Sequence, residues 1–314
     1  MGTCMKKINC GVIGVGYLGA HHARIYSEME TVQLVGVVDS NPERAEEIAN
    51  RYHCSVFPTA EALAQQCDAL SVVTPTSTHA SVAIPLLEHG CHLLVEKPLC
   101  TNLNEAEQMI QAAQKHQCYL QVGHVEHYNP VYRFLATHIQ KPKYIVADRL
   151  APFPNRNTDV GVTLDLMIHD LGIVLQLVKS PIQSIEAIGV NVMSKNVEDI
   201  ANARIRFENE CIANFNTSRV SAKKERTIRI FQPEGYLSID FMEQRGHRMW
   251  KEDGQILNEE IPFHKAEPLR VELNSFIDCI LKAHQPEVDG YLARSALEVA
   301  LSITHQIHNN ALRA

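Results

Sequence analysis

The chain carries little that would tie it to a metal, a membrane or a nucleic acid. Its nine cysteines include no Cys-x-x-Cys pair, and their odd number and scattered spacing exclude a disulfide framework. Cys10, Cys67, Cys91 and Cys211 lie in or beside apolar runs, so reduced, mostly buried thiols of a cytoplasmic protein are expected. Sixteen histidines are present, yet none has His-Glu-x-x-His or comparable ligand spacing. No metal site is expected, and only a convergence of His21, His22, His79 and His124 in space would supply one. No apolar run approaches the roughly 18 residues that a spanning helix needs. Positive charge is not in excess: the formal net charge is −7, which argues against general affinity for nucleic acid or an anionic membrane. Met1–Lys7 lacks a signal-peptide pattern, and Lys6 stands where a myristoylation motif after Gly2 wants Ser or Thr. There is no internal repeat and no low-complexity segment.

What the sequence does have is a globular composition, 45% hydrophobic and 21% charged over 314 residues, which is room for two domains. Near its start an apolar strand, Ile8 to Ile13, runs into Gly14-x-Gly16-x-x-Gly19 and then a helix carrying Ala23, Ile25 and Tyr26. Gly14 permits a tight turn and Gly16 lets a pyrophosphate approach the backbone. Gly19 lets the helix pack closely, with its N-terminal N–H groups aimed at the phosphates. Tyr17 and Leu18 lie within the same turn. A second apolar run, Val35 to Val38, ends in Asp39, about 20 residues past Gly19, where a carboxylate would hold an adenosine ribose 2′-hydroxyl. This is a dinucleotide fingerprint in its proper setting.

Strands and helices then alternate. Pro42 opens a helix, Ser55 to Phe57 is a short strand, and Thr59 caps the next helix. Ala69 to Val73 is a buried strand leading to Thr74-Pro75-Thr76, and Ala80 to His89 is a helix stopped by Gly90. His92 to Val95 delivers Glu96-Lys97-Pro98, Asn102 to His116 is helical, and Tyr119 to Val122 closes the sheet. The fold class is therefore α/β: an N-terminal doubly wound parallel sheet of Rossmann type over residues 1–122. Residues 123–314 form an α+β domain with an open, mainly antiparallel sheet. Its strands run Tyr144–Arg149, Ile182–Val192, Ala201–Phe207, Cys211–Ser218, Arg226–Phe231 and Tyr236–Phe241. One long helix interrupts them, Val162 to Leu177, and helices at Pro268–Lys282 and Leu292–Asn309 are expected to pack back on the first domain. Strict alternation in Ala203–Phe207 and Thr227–Ile230 implies one wet or interface face. The arginines there and Lys223-Lys224 read as a solvated face in preference to a phosphate site. Ile205, Phe207, Ile228 and Ile230 are expected on an open apolar surface that a dimer or tetramer would cover.

Three clusters could carry chemistry. Lys97 would hydrogen-bond a substrate hydroxyl and stabilise a developing alkoxide, while Pro98 fixes the turn, with a cis bond as one way to do so. Asp165 and His169, four residues apart, would share a helix face, the imidazole accepting a hydroxyl proton and the carboxylate holding it in place. A core histidine beside a capping aspartate is the plain alternative. Gly123 to Pro130 offers His124 and Asn129 as contacts.

Together these residues resemble the Gfo/Idh/MocA family of nicotinamide-dependent oxidoreductases, over essentially the whole chain. The likeness rests on Gly14-x-Gly16-x-x-Gly19, Asp39, Thr74-Pro75-x-x-x-His79, Glu96-Lys97-Pro98 and Asp165-x-x-x-His169. It implies that Lys97 and His169 flank the carbon that exchanges hydride, and that Thr74, Pro75, Thr76, His79 and Glu96 border the cofactor. Asp39, with no arginine directly after it, implies NAD over NADP. Arg149–Phe153, Arg156–Val160, Leu164–Asp170, Ile200–Asn209 and Arg229–Gln232 are similar to a bacterial branch tied to lipid A synthesis. That branch oxidises the 3-hydroxyl of UDP-N-acetylglucosamine to a ketone for a PLP-dependent aminotransferase. Arg156 would then meet the diphosphate, or else serve as a loop arginine. Another sugar, an inositol or a UDP-N-acetylglucosaminuronate remains open as substrate. A non-catalytic NAD-binding sensor and a structural partner in a sugar-modifying complex also remain open.

Overall fold

A computed structural model describes residues 7–153, 160–233 and 235–311. Its chain divides into two compact units, residues 1–125 with 269–294 and residues 126–268 with 295–314. The first unit therefore includes a late segment of the chain.

The first unit holds a six-stranded sheet. Its strands are β1 Ile8–Ile13, β2 Val32–Val38, β3 Ser55–Val56, β4 Ala69–Val72, β5 His92–Glu96 and β6 Leu120–Gly123. They lie in the order β3-β2-β1-β4-β5-β6, with every neighbouring pair parallel. The order reverses between β1 and β4, and in open parallel sheets ligands bind at the carboxyl ends of strands beside such a reversal. Between the strands run α1 Tyr17–Glu28, α2 Pro42–Tyr52, α3 Ala60–Ala64, α4 His79–Glu88 and α5 Leu103–Lys115. The side chains of Asn41, Thr59 and Asn102 cap α2, α3 and α5, satisfying backbone donors that a helix start leaves bare. The core joins Cys10, Val12, Ile25, Tyr26 and Leu94 to Leu273, Phe276 and Ile277. The last three belong to α8 Pro268–Lys282, so a helix from the end of the chain completes this core.

The second unit holds an eight-stranded sheet: β7 Tyr144–Leu150, β8 Ile182–Val190, β9 Ile200–Phe207, β10 Ile212–Ser218, β11 Glu225–Gln232, β12 Gly235–Asp240, β13 Arg245–Glu252 and β14 Gln255–Ile261. The order is β14-β13-β12-β11-β7-β10-β9-β8, antiparallel throughout except for the parallel pair β7–β10. With it go α6 Pro130–His138 and α7 Ile168–Val178, and α9 Gly290–Ala311 completes the chain. Ser295, where the second unit resumes, lies within α9.

The second sheet differs from the sequence expectation in two ways. It extends to a β13–β14 hairpin that the expected strands do not include, because these strands carry charge where apolar residues would alternate. Its turn was legible all the same: Asp253 and Gly254 both have positive φ (49° and 79°), the arrangement an Asp-Gly hairpin turn requires. Ile205, Phe207, Ile228 and Ile230 do not form an open apolar surface: all four lie on one alternating face and are fully buried. The opposite face carries the row Tyr144, Phe231 and Tyr236, their rings 5.8 Å and 4.9 Å apart.

Candidate active site

In the first unit the glycine turn closes β1 onto α1. Gly14 has φ +84°, and a Cβ there would lie 2.6 Å from the Val73 carbonyl oxygen; both facts demand glycine. A Cβ on Gly19 would lie 1.8 Å from the Gly14 carbonyl oxygen, so helix and turn touch backbone to backbone. Gly16 differs: among the described residues nothing lies within 4 Å of its would-be Cβ, and none caps α1 through its side chain. The start of α1 thus leaves room beside Gly16 for a phosphate to approach the backbone. Asp39 sits half-buried at the end of β2 and accepts from Val15 N at 2.7 Å and Asn41 N at 2.9 Å. Arg44 grips the same turn, donating to the Val15 and Gly16 carbonyls at 2.8 Å and 3.2 Å. Each oxygen of Asp39 keeps a lone pair for a ribose hydroxyl. The residues present therefore fit an NAD adenosine and pyrophosphate. Tyr17 is exposed and Leu18 half-buried within this turn.

Two further turns follow β4 and β5. Thr74, Pro75 and Thr76 lead into α4, where His79 is buried and reaches the carbonyls of Thr74 at 2.9 Å and Pro98 at 3.0 Å. His79 thereby ties the Thr-Pro turn to the Glu-Lys-Pro turn, with both ring nitrogens engaged. The Lys97–Pro98 bond is cis. The Lys97 side chain is half-buried, and its backbone N donates to the Glu96 carboxylate at 3.2 Å. His22 of α1 holds the other Glu96 oxygen at 3.2 Å and Ser71 at 3.1 Å, and Ser71 also bonds Tyr26 at 2.8 Å. Sequence reasoning missed His22 as the support of Glu96; its place three residues past Gly19 on the buried side of α1 was the available signal. Glu272 of α8 is fully buried, and among the described residues neither carboxyl oxygen has a hydrogen-bond partner. Burial first, and then the nearby Glu96, pushes its carboxyl well up.

In the second unit the single helix expected over 162–177 is interrupted. Thr163–Met167 forms a π-type turn and α7 begins at Ile168, so Asp165 and His169 do not sit on one continuous α-helix. Asp165 is half-buried within the turn, and His169 is buried in the first turn of α7. Asp170 beside it receives a bidentate pair from Arg149 of β7, both bonds 2.8 Å. Arg149 also reaches Glu126 at 3.2 Å, and Arg226 meets the same oxygen at 3.1 Å. Burial works against the Arg149 charge, but Asp170 and then Glu126 override it and push that guanidinium up. A two-acid, two-base network thus fixes the first turn of α7 to the sheet. Asn129 commits its amide within this region: it caps α6 through Val131 N and donates to Glu126 and the Phe241 carbonyl. His124 is fully buried in the first unit. Arg156 lies outside the described residues. Among the described residues no group of three or more metal-ligating side chains is gathered, and no helix is long and apolar enough to cross a membrane.

A glycine turn braced by an acid at the end of β2, together with a Glu-Lys-Pro turn after β5, defines an NAD-binding oxidoreductase of Rossmann type. Residues 8–124 match the family described as an oxidoreductase family with an NAD-binding Rossmann fold, and residues 133–238 match the GFO/IDH/MocA C-terminal domain. The chain belongs to the Gfo/Idh/MocA oxidoreductase family. It is 37% identical over 307 residues to a UDP-N-acetylglucosamine 3-dehydrogenase of Acidithiobacillus ferrooxidans, covering 95% of this chain and 97% of that one. A solved structure of that enzyme superimposes with a TM-score of 0.92 at 36% identity, over 96% of this chain and 98% of that one. The NAD-dependent scyllo-inositol 2-dehydrogenase of Bacillus subtilis is 27% identical over 96% of this chain and 95% of its own length.

Proposed function

We propose that this chain oxidises a secondary hydroxyl of a nucleotide-activated amino sugar, the 3-hydroxyl of UDP-N-acetylglucosamine, to the 3-keto sugar. The observation that carries the substrate is the 37% identity, over nearly the full length of both chains, to an enzyme named for that reaction. NAD, when bound, supplies the hydride acceptor. Lys97 donates to the sugar oxygen and stabilises the charge that develops there. His169 takes the hydroxyl proton, and Asp165 orients it or contacts the sugar. Either Lys97 or His169 can serve as the formal base. Arg156 offers a planar pair of donors to the diphosphate. The 3-keto product suits a PLP-dependent aminotransferase that installs a 3-amino group, as a lipid A precursor requires. Free thiols at all eight described cysteines accord with a reducing, cytoplasmic setting. A second copy of the chain covering the Tyr144–Phe231–Tyr236 face would make the protein a dimer or tetramer.

NADH production across a panel of UDP-N-acetylglucosamine, UDP-N-acetylglucosaminuronate, free N-acetylglucosamine and scyllo-inositol tests the substrate. Lys97→Ala and His169→Ala are each expected to cut turnover about 100-fold or more, with NAD affinity unchanged. Turnover on the inositol alone would overturn the sugar-nucleotide reading in favour of the second relative's chemistry. Firm NAD binding with no turnover on any compound would mark a non-catalytic NAD sensor.

A further inference from the structure

The turn that carries Asp165 does not begin freely. Val162 N donates to the Glu198 carbonyl at 3.1 Å, and Thr163 N donates to the Glu198 side-chain Oε1 at 3.1 Å. One residue of the β8–β9 connection thus takes two successive N–H groups at the point where the π-type turn starts. Asp165 N then closes back on the Gly161 carbonyl at 3.0 Å. Arg219 holds the preceding residue, donating to the Val160 carbonyl at 2.8 Å.

Glu198 sits beside a tightly bound residue. It is buried, and the next residue, Asp199, accepts at one oxygen from the backbone N–H groups of Val192, Met193 and Ser194 at 2.6–2.8 Å. Its other oxygen accepts from the Ser194 hydroxyl at 2.6 Å and from Arg219 Nε at 2.7 Å. Burial alone would raise the Asp199 carboxyl. The Ser194 hydroxyl and amide, then Arg219 and Val192, outweigh it and hold Asp199 well below the usual carboxylate range. The carboxyl of Glu198 also fills the space beside Gly161: a Cβ there would lie 2.1 Å from Oε1 and 2.2 Å from Cδ and Oε2. Glycine at 161 and glutamate at 198 are therefore sterically matched.

We propose that Glu198 is a positioning residue for the dehydrogenation assigned above: its carbonyl and carboxyl together set the start of the Thr163–Met167 turn and so the placement of Asp165. The proposal rests on the reading of Asp165 and His169 as working residues. A helix start normally leaves its first N–H groups to be capped by a side chain just before it. Here the cap comes from a distant loop, which ties the register of the turn to the β8–β9 connection rather than to local sequence. A displacement of about 1 Å at a working group can cost on the order of 100-fold in rate.

The test is a kinetic cycle on the full-length protein with NAD and UDP-N-acetylglucosamine. Glu198→Ala is expected to lower kcat about 10–100-fold with Kd for NAD unchanged. Glu198→Gln, which keeps the acceptor, should stay within about 3-fold of wild type, a factor worth under 1 kcal/mol. Gly161→Ala should reproduce the kcat loss, because its Cβ displaces the same carboxyl. The double variant G161A/E198A should be no worse than E198A, since the methyl group then enters space the carboxyl has left. NAD titration and Trp250 fluorescence report folding of the two units. If E198A does not fold, Glu198→Asp takes its place in the same cycle. Wild-type kcat in folded E198A or E198D, or losses that multiply in the double variant, overturns the proposal. His169→Ala separates the two levels: an inactive H169A with a normal E198A refutes the positioning role alone, whereas a fully active H169A refutes the reading beneath it.

Discussion

Removing Arg149 probes the network that holds the first turn of α7. Its side chain is 3% exposed and those of Asp170 and Glu126 are 5% and 4%, so all three charges are out of water. Arg149→Ala deletes two bonds to Asp170 and one to Glu126. At about 1.5–3 kcal/mol for each bond to a charged group, a simple sum would run from about 4.5 to 9 kcal/mol. That sum is too large, because Glu126 keeps Arg226 and Asn129 and only Asp170 is stranded. The expected loss is therefore about 3–5 kcal/mol, the range for breaking one side of a buried pair. For a unit of this size that is a fall in Tm of about 6–20 °C. The single tryptophan, Trp250, lies in β13 of the same unit, so its fluorescence during heating or urea titration follows this unit directly. Asp170 without its partner is a buried carboxyl, which burial pushes up. Its ionisation then opposes folding, so the penalty is small below about pH 4 and grows as pH rises. Adding Asp170→Asn to Arg149→Ala should recover part of the loss at pH 7. A single-variant loss under about 1 kcal/mol at pH 7, or no relief from D170N, would refute the account.

Two other outcomes follow from the first unit. Gly19→Ala places a Cβ 1.8 Å from the Gly14 carbonyl oxygen, so the turn must open; NAD affinity measured by titration should fall at least about 10-fold, or about 1.4 kcal/mol, and unchanged affinity would refute the close-packing argument. Glu272→Gln should raise stability at neutral pH. Burial and then Glu96 push this carboxyl's pKa up in the folded chain, so wild type carries a penalty that is absent below about pH 4 and grows as pH rises. Urea midpoints of E272Q and wild type should coincide near pH 4 and separate by pH 8, with the variant higher; equal gaps at both values would contradict this.

Local chemistry made much of the first unit legible. Gly14 and Gly19 each answer a backbone demand within a few residues, Asp39 ends its strand, and the caps at Asn41, Thr59 and Asn102 are read at three-residue range. The β13–β14 hairpin carries charge where apolar residues would alternate, so only its Asp-Gly turn marks it in the sequence. Burial misled in the second sheet, since alternation says that Ile205, Phe207, Ile228 and Ile230 share a face but not which face is covered.

The sequence by itself determined the cofactor turn, the order of strands and helices in the first unit, and the chemical types at Lys97, Asp165 and His169. Those properties depend on neighbours a few residues apart and on a hydrophobic period, which a linear pattern records. Only the tertiary structure decided what holds these residues. Examples are His22 on Glu96 across 74 positions, Arg149 on Asp170 across 21, Glu198 on Thr163 across 35, and α8 in the core of the first unit. Such contacts join segments through the sheet order, and a hydrogen bond between distant residues leaves no periodicity by which the chain alone could announce it.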